Sequence, residues 1–226
     1  MKIKLLSALV LTGLGMGGLT PIIEAADYTS ATDAISDVSA TIILGENGGP
    51  EIPEIPGFPP LPEEKLPENP NNGPLSLRYV SSIQFGDISI STEDQHIFAK
   101  EDTNGAFPMV VVQDFRGDAE RDGWQLLVKQ EKELLPGAQI SLQPSINGAN
   151  DMEIEVSSSK IILNEVGQVF ANTKTSANSA GIQSIPMGTV ENGVELLVPK
   201  NTSVGDYTTK ISWNLVNGPV APPEEV

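Results

Sequence analysis

The side chains that most enzymes use for catalysis are scarce in this chain. It has one histidine, His96, and no cysteine. His96 stands in Glu93-Asp94-Gln95-His96, and a lone histidine beside carboxylates is a solvated loop residue before it is a catalyst, although the residue type serves both proton transfer and metal binding. A structural zinc site built from Cys and His is excluded. A Ser-His-Asp hydrolase would have to use His96, and no Gly-x-Ser-x-Gly elbow is present. No glycine-rich phosphate loop of the P-loop type occurs. Paired carboxylates could hydrolyse a glycoside, but with 30 acidic residues chance pairs are everywhere. Asp102-Thr103-Asn104-Gly105 begins like a calcium loop, lacks the twelve-residue pattern with its terminal Glu, and reads as an Asx-type turn. Arg116-Gly117-Asp118 matches an adhesive tripeptide, but three residues in a polar turn match by chance. The inventory implies no enzyme, no cofactor and no metal.

What remains is a repeated tripeptide, Trp124-Gln125-Leu126 and Trp213-Asn214-Leu215, which takes both tryptophans of the chain. Each lies in an alternating stretch: Trp124, Leu126, Val128 in the first, and Tyr207, Thr209, Ile211, Trp213, Leu215 in the second. A period of two is the signature of a strand with one buried face, so Trp and Leu of each tripeptide point the same way. Two chemistries are open to such a pair. The indoles can be core, since Trp is highly buried on average, and close the fold as a clasp. They can also form an apolar patch that stacks on sugar rings or a partner's side chains, with the ring N–H as a polar handle. Trp124, Leu126, Trp213 and Leu215 are the candidate binding residues.

The elements that must position these residues read as strands. Leu75, Leu77 and Tyr79 alternate; Ile83 with Phe85 and Ile88 with Ile90 follow around Gly86-Asp87. Further runs are Phe107 to Val112, Ile140 to Leu142, Met152 to Val156, Ile161 to Leu163, Gln168 to Phe170, and Val194 to Val198. Turn residues separate nearly all of them, and no helical period appears past the first residues. Many short, punctuated strands predict an all-β, sandwich-like domain over residues 75–226.

Ahead of it the chain changes character twice. Residues 1–25 read as a signal peptide, with Lys2 and Lys4 before an apolar run and small residues at Ala25-Ala26. The run falls short of the ~20 residues of a membrane span, and no second one follows, which predicts an exported protein without a transmembrane anchor. Residues 26–44 form a short segment in which Ser39 to Leu44 is a possible strand. Residues 45–74 are rich in Pro, Gly and Glu and predict an extended, solvated spacer. Removing the signal takes Lys2, Lys4 and Glu24 from 13 basic and 30 acidic side chains and leaves a net charge of −18. That argues against nucleic acid as a partner and against simple attraction to anionic wall polymers or lipids. With no disulfide, stability must come from the core.

The flanks of the tripeptides carry a family resemblance. Gly73-Pro74-Leu75-Ser76-Leu77 with Tyr79-Val80, then Phe85-Gly86, Val112 to Gly117, Gly123 to Gln130, and Tyr207 to Leu215 together resemble the WxL-domain surface proteins of low-GC Gram-positive bacteria, over roughly Gly73 to Pro219. The family often closes with Ala-Pro soon after the distal motif; here Val-Asn-Gly-Pro follows Leu215 and Ala221-Pro222 comes later. The resemblance implies an extracellular, secreted protein held non-covalently at the cell wall, with peptidoglycan or a cell-wall glycan as ligand and co-exported surface proteins as possible partners. It also leaves a second function open, a protein–protein module that docks on another exported protein and is retained at the wall indirectly.

Overall fold

The computed structural model describes residues 27–28, 34–35, 40, 51–71, 73–146, 153–173 and 180–218. The signal sequence, all of Ser39 to Leu44 except Ala40, and Ala221-Pro222 lie outside them. The chain forms two compact units, residues 1–43 and 44–226. In the first, β1 (Asp27–Tyr28) pairs antiparallel with β2 (Ala34–Ile35).

The second unit is all-β, as the punctuated strands predicted. Its strands are β3 (Leu75–Val80), β4 (Gln95–Ala99), β5 (Met109–Asp114), β6 (Trp124–Gln130), β7 (Gln139–Leu142), β8 (Ile154–Val156), β9 (Ile161–Ile162), β10 (Gln168–Thr173), β11 (Gly181–Pro186), β12 (Val194–Val198) and β13 (Ile211–Asn217). They make three antiparallel sheets, ordered β13-β6-β10-β8, β11-β5-β3 and β4-β12-β7-β9. All three turn one face to a shared apolar core, which holds Val110 and Val112, Trp124, Leu126 and Val128, Phe170, Ile185, Leu142 and Leu196. That arrangement is a sandwich-like packing of sheets around one interior.

The strands differ from the sequence reading at three places. The alternations at Ile83-Phe85 and Ile88-Ile90 form only an isolated bridge from Ile83 to Asp102, because no neighbouring strand runs alongside them. The distal strand starts at Ile211, four residues later than the alternation from Tyr207 implied. β4 and β11 have no apolar alternation to mark them, because Gln95-His96 and Gln183-Ser184 interrupt it.

The Pro-rich segment differs most. Residues 51–71 pack on the domain instead of extending into solvent. β5 is buried at every position, so its sheet needs cover on both faces. Val110 and Val112 face the shared core, whereas Met109 and Val111 join Tyr79 in a second cluster capped by Ile55 and Leu66. Phe58 meets Phe107 edge to face at 4.7 Å. Polar ties fix the segment: Ser184 Oγ donates to Pro53 O at 2.7 Å, Asn69 N to Arg78 O at 2.7 Å, and the buried Arg78 guanidinium to Glu68 Oε2 at 2.6 Å.

Under this cap Asp102 organises the loop into β5. Its Oδ1 accepts from Asn104 N at 2.8 Å and Ala106 N at 3.0 Å; its Oδ2 accepts from Ser81 Oγ at 2.7 Å and from the Tyr79 hydroxyl. The Asx turn is therefore real, and both carboxylate oxygens are occupied by protein donors. Burial, reinforced by the bond to Asp102, pushes the Tyr79 phenol up to about 12. A raised folded-state pKa adds stability that is whole below the unfolded value of about 10 and is lost as pH climbs through the folded value. Urea unfolding should therefore show stability falling by on the order of 2 kcal/mol between about pH 10 and 12. Tyr79→Phe should abolish that slope while costing about 1–3 kcal/mol at neutral pH, since Asp102 loses a donor. An unchanged slope in the variant would place the titrating group elsewhere.

Candidate functional site

The two Trp-x-Leu strands lie side by side. β13 and β6 pair antiparallel with Trp213 opposite Val128, Leu215 opposite Leu126 and Asn217 opposite Trp124. Residues directly opposite share a face, so all four motif side chains are on one face of one sheet. The antiparallel register puts the leucines at the centre and the tryptophans at opposite ends, about 13 Å apart by the strand rise.

Their surroundings differ because β6 is interior to the sheet and β13 is its edge. Trp124 and Leu126 are fully buried, whereas Trp213 and Leu215 are half-buried. The Trp124 ring N–H has no protein acceptor among the described residues. Trp213 packs edge to face on Phe170, centroids 4.9 Å apart and planes at 89°. A bulge in β10 between Val169 and Ala171 makes that contact possible. The extra residue lets Phe170 and Ala171, consecutive in sequence, both enter the core.

The Trp124 end of the sheet is closed by a polar clasp. Arg116, 8% exposed, donates from Nε to Asp114 Oδ1 at 2.8 Å and from Nη2 to Asp114 Oδ2 at 2.6 Å, a bidentate pair with a wholly buried carboxylate. The same guanidinium reaches Gly123 O at 3.0 Å and the side-chain carbonyl of Asn217. Gly218 N also donates to Gly123 O at 3.0 Å, and Trp124 N donates to Thr173 Oγ1 at 3.1 Å. Arg116 thus ties the residue that precedes β6 to the last residue of β13. Gly123 and Gly218 flank this junction at φ of 82° and 78°, a region that favours glycine. Hydrogen bonds to Asp114 hold the Arg116 guanidinium above its ordinary pKa. The arginine of Arg116-Gly117-Asp118 is consumed here and is not offered as an adhesive tripeptide.

At the Trp213 end the surface opens into a groove of about 1010 Å³. Its walls are residues 82–91, Pro199 and residues 202–210, and its floor includes Leu135, Ile140, Leu196 and Trp213. Of the four motif residues only Trp213 lines it. Phe85 and Ile88 pack against the main core as Trp213 does, while Ile90, 71% exposed, and Val204, 87% exposed, stand at the rim. Among the described residues, the backbone of 85–90 and of 204–209 makes no hydrogen bond to other backbone. The sequence hinted at these walls only through the unpartnered alternations of Ile83 to Ile90 and of Tyr207 to Ile211.

His96 is far from any such arrangement in chemical character. Its Nδ1 lies 2.5 Å from Glu195 Oε1, and Lys160 Nζ bonds the other oxygen, which with His96 holds the Glu195 carboxyl below its ordinary range against the opposing effect of burial. This is an ion cluster across the outer face of β4 and β12, with His96 59% exposed. Among the described residues no three His, Asp or Glu side chains converge as a metal site, and no helix is long and apolar enough to cross a membrane.

The clasp yields a stability prediction. Arg116→Ala strands a buried carboxylate and frees both strand ends, so urea unfolding should show a loss of about 3–5 kcal/mol. Asn217→Ala should cost less, about 1–2 kcal/mol, and the double variant should fall short of the sum, because the two residues share one hydrogen bond. Additive losses would show that Arg116 does not couple the strands.

No curated protein and no solved structure matches the chain. The family model described as WxL domain surface cell wall-binding matches residues 31–219. That span takes in both tripeptides, the clasp and the groove, and begins well before the point at which the motifs alone placed the domain. The chain belongs to the WxL family of surface domains that bind the cell wall.

Proposed function

We propose that this is a non-enzymatic, exported protein that holds to the cell wall by binding peptidoglycan in the groove beside Trp213. The observation that carries the reading is the asymmetry of the motif pair. Trp124 and Leu126 are sealed in the interior, so they act by holding the sheet together. Trp213 is half-buried and forms part of a groove floor, so it is the motif residue that a ligand can touch. Leu215, opposite Leu126, lies beside Trp213 on the same face. At about 1010 Å³ the groove stands at the upper end of ligand-site volumes and has room for a segment of a polymer.

A second reading has one observation in its favour. The chain carries a net charge of −17, which opposes approach to anionic wall polymers and suits a basic protein partner. In that reading the groove docks another exported protein and wall retention is indirect.

Cosedimentation with protein-free sacculi separates the two. The parent protein should pellet with them. Tyr207→Ala, at the exposed groove wall, and Trp213→Ala should each weaken binding about tenfold, equivalent to about 1.4 kcal/mol. Tyr207→Ala should leave thermal unfolding unchanged, which keeps the result clear of any packing loss at Trp213. A parent protein that stays in the supernatant, yet is retained by intact cells, would overturn the direct reading and favour the second.

A further inference from the structure

We infer that the groove takes the peptide part of the wall polymer, an extended peptide with a free amino group, and not its glycan chain; this rests on the wall-attachment reading above. Three observations converge on it. The first is backbone. Phe85 to Ile90 and Val204 to Thr209 face the groove from its two walls without backbone partners of their own among the described residues. Gly86, at φ 68°, and the bend at Val204-Gly205 interrupt these walls, so the stretches that can run extended are 87–90 and 206–209, each about 13 Å at the strand rise. Unsatisfied N–H and C=O groups along an extended segment are the template for strand addition, in which a peptide supplies the missing ladder. A stem peptide offers amides at the matching spacing, whereas a sugar ring offers hydroxyls at another.

The second is the state of the aromatics. Stacking on a sugar needs a free ring face. Phe85 and Trp213 are both half-buried and pack against the core, and Trp213 presents its ring to Phe170. The Tyr207 hydroxyl donates to Ser203 O at 2.8 Å, which ties the ring to its own loop. Trp213 in the floor, with Phe85 and Tyr207 in the walls, forms an apolar surface for side chains in place of a sugar platform.

The third is charge. The charged side chains lining the groove are Asp87, Glu131, Asp206 and Lys210, three carboxylates against one ammonium. Asp87 and Asp206 stand on opposite walls, both exposed, where they can receive the amine of a stem peptide's diamino acid through charge-assisted bonds. A neutral glycan would use none of this charge.

Isothermal titration of the full chain tests the inference with three probes: a synthetic stem peptide bearing its free side-chain amine, the same peptide acetylated on that amine, and peptide-free glycan chains released by amidase. The free peptide should bind, acetylation should weaken it about tenfold, and the glycan should bind at least tenfold more weakly than the free peptide. The double variant Asp87→Asn, Asp206→Asn should reproduce the acetylation loss with no change in thermal unfolding. Glycan chains that bind as tightly as the peptide, or intact sacculi that bind while the free peptide does not, overturn this inference and leave wall attachment standing. If sacculi, peptide and glycan all fail to bind, both readings fall.

Discussion

The domain depends on one buried ion pair. Asp114 is wholly buried and Arg116 nearly so, and desolvating both costs several kcal/mol per ion unless the geometry repays it. Here the guanidinium makes a bidentate contact with the carboxylate and gives two further donors to the Gly123 carbonyl and the Asn217 side chain. The pair therefore does more than neutralise itself. It converts the end of β5 into a bracket that holds the start of β6 and the end of β13, with Trp124 opposite Asn217, in one register. Once Asn217 stands opposite Trp124, Leu215 must stand opposite Leu126 and Trp213 opposite Val128, and the two indoles are forced to opposite ends of the sheet.

Two copies of one tripeptide consequently have different physical roles. The copy on the interior strand is sealed and contributes area to the core. Deleting the side chain of Leu126 would cost about 2–5 kcal/mol, as for other large-to-small core changes. The copy on the edge strand has neighbours on one side only, and its Trp is left with a surface. The β10 bulge at Phe170 then supports that Trp from below, so Trp213 can be exposed without being loose. A rigid, half-exposed aromatic at a groove floor loses little conformational entropy on binding, which is why such residues recur at recognition sites.

Much of this was legible in the residues, and what was not has identifiable causes. The alternation of Trp124, Leu126 and Val128 announced β6 and its buried face. The apolar run Phe107 to Val112 announced a strand, but not that both its faces are covered, nor by what. The cover comes from Ile55, Phe58 and Leu66, single apolar residues spaced among prolines in a segment whose composition reads as solvated. Composition weighs the average of a segment, and packing needs only a few such residues, with Ile52 and Leu61 beside them. The groove was opaque for the opposite reason: its walls carry strand-like alternation yet pair with nothing, and pairing is a property of the fold. Above all, the tripeptides look equivalent in sequence, because edge and interior positions are set by sheet order alone.

The central claim is that the Trp213 end of the sheet meets the wall while the Trp124 end is structural. Acrylamide quenching of tryptophan fluorescence in two single-tryptophan variants, Trp124→Phe and Trp213→Phe, tests it most directly, each measured with and without protein-free sacculi. In the first variant Trp213 should be quenched when free and become shielded on sacculi. In the second Trp124 should resist quenching and show no change. A Trp213 whose quenching is the same in both states, or a Trp124 that is open to quencher and shielded by the wall, would contradict the account.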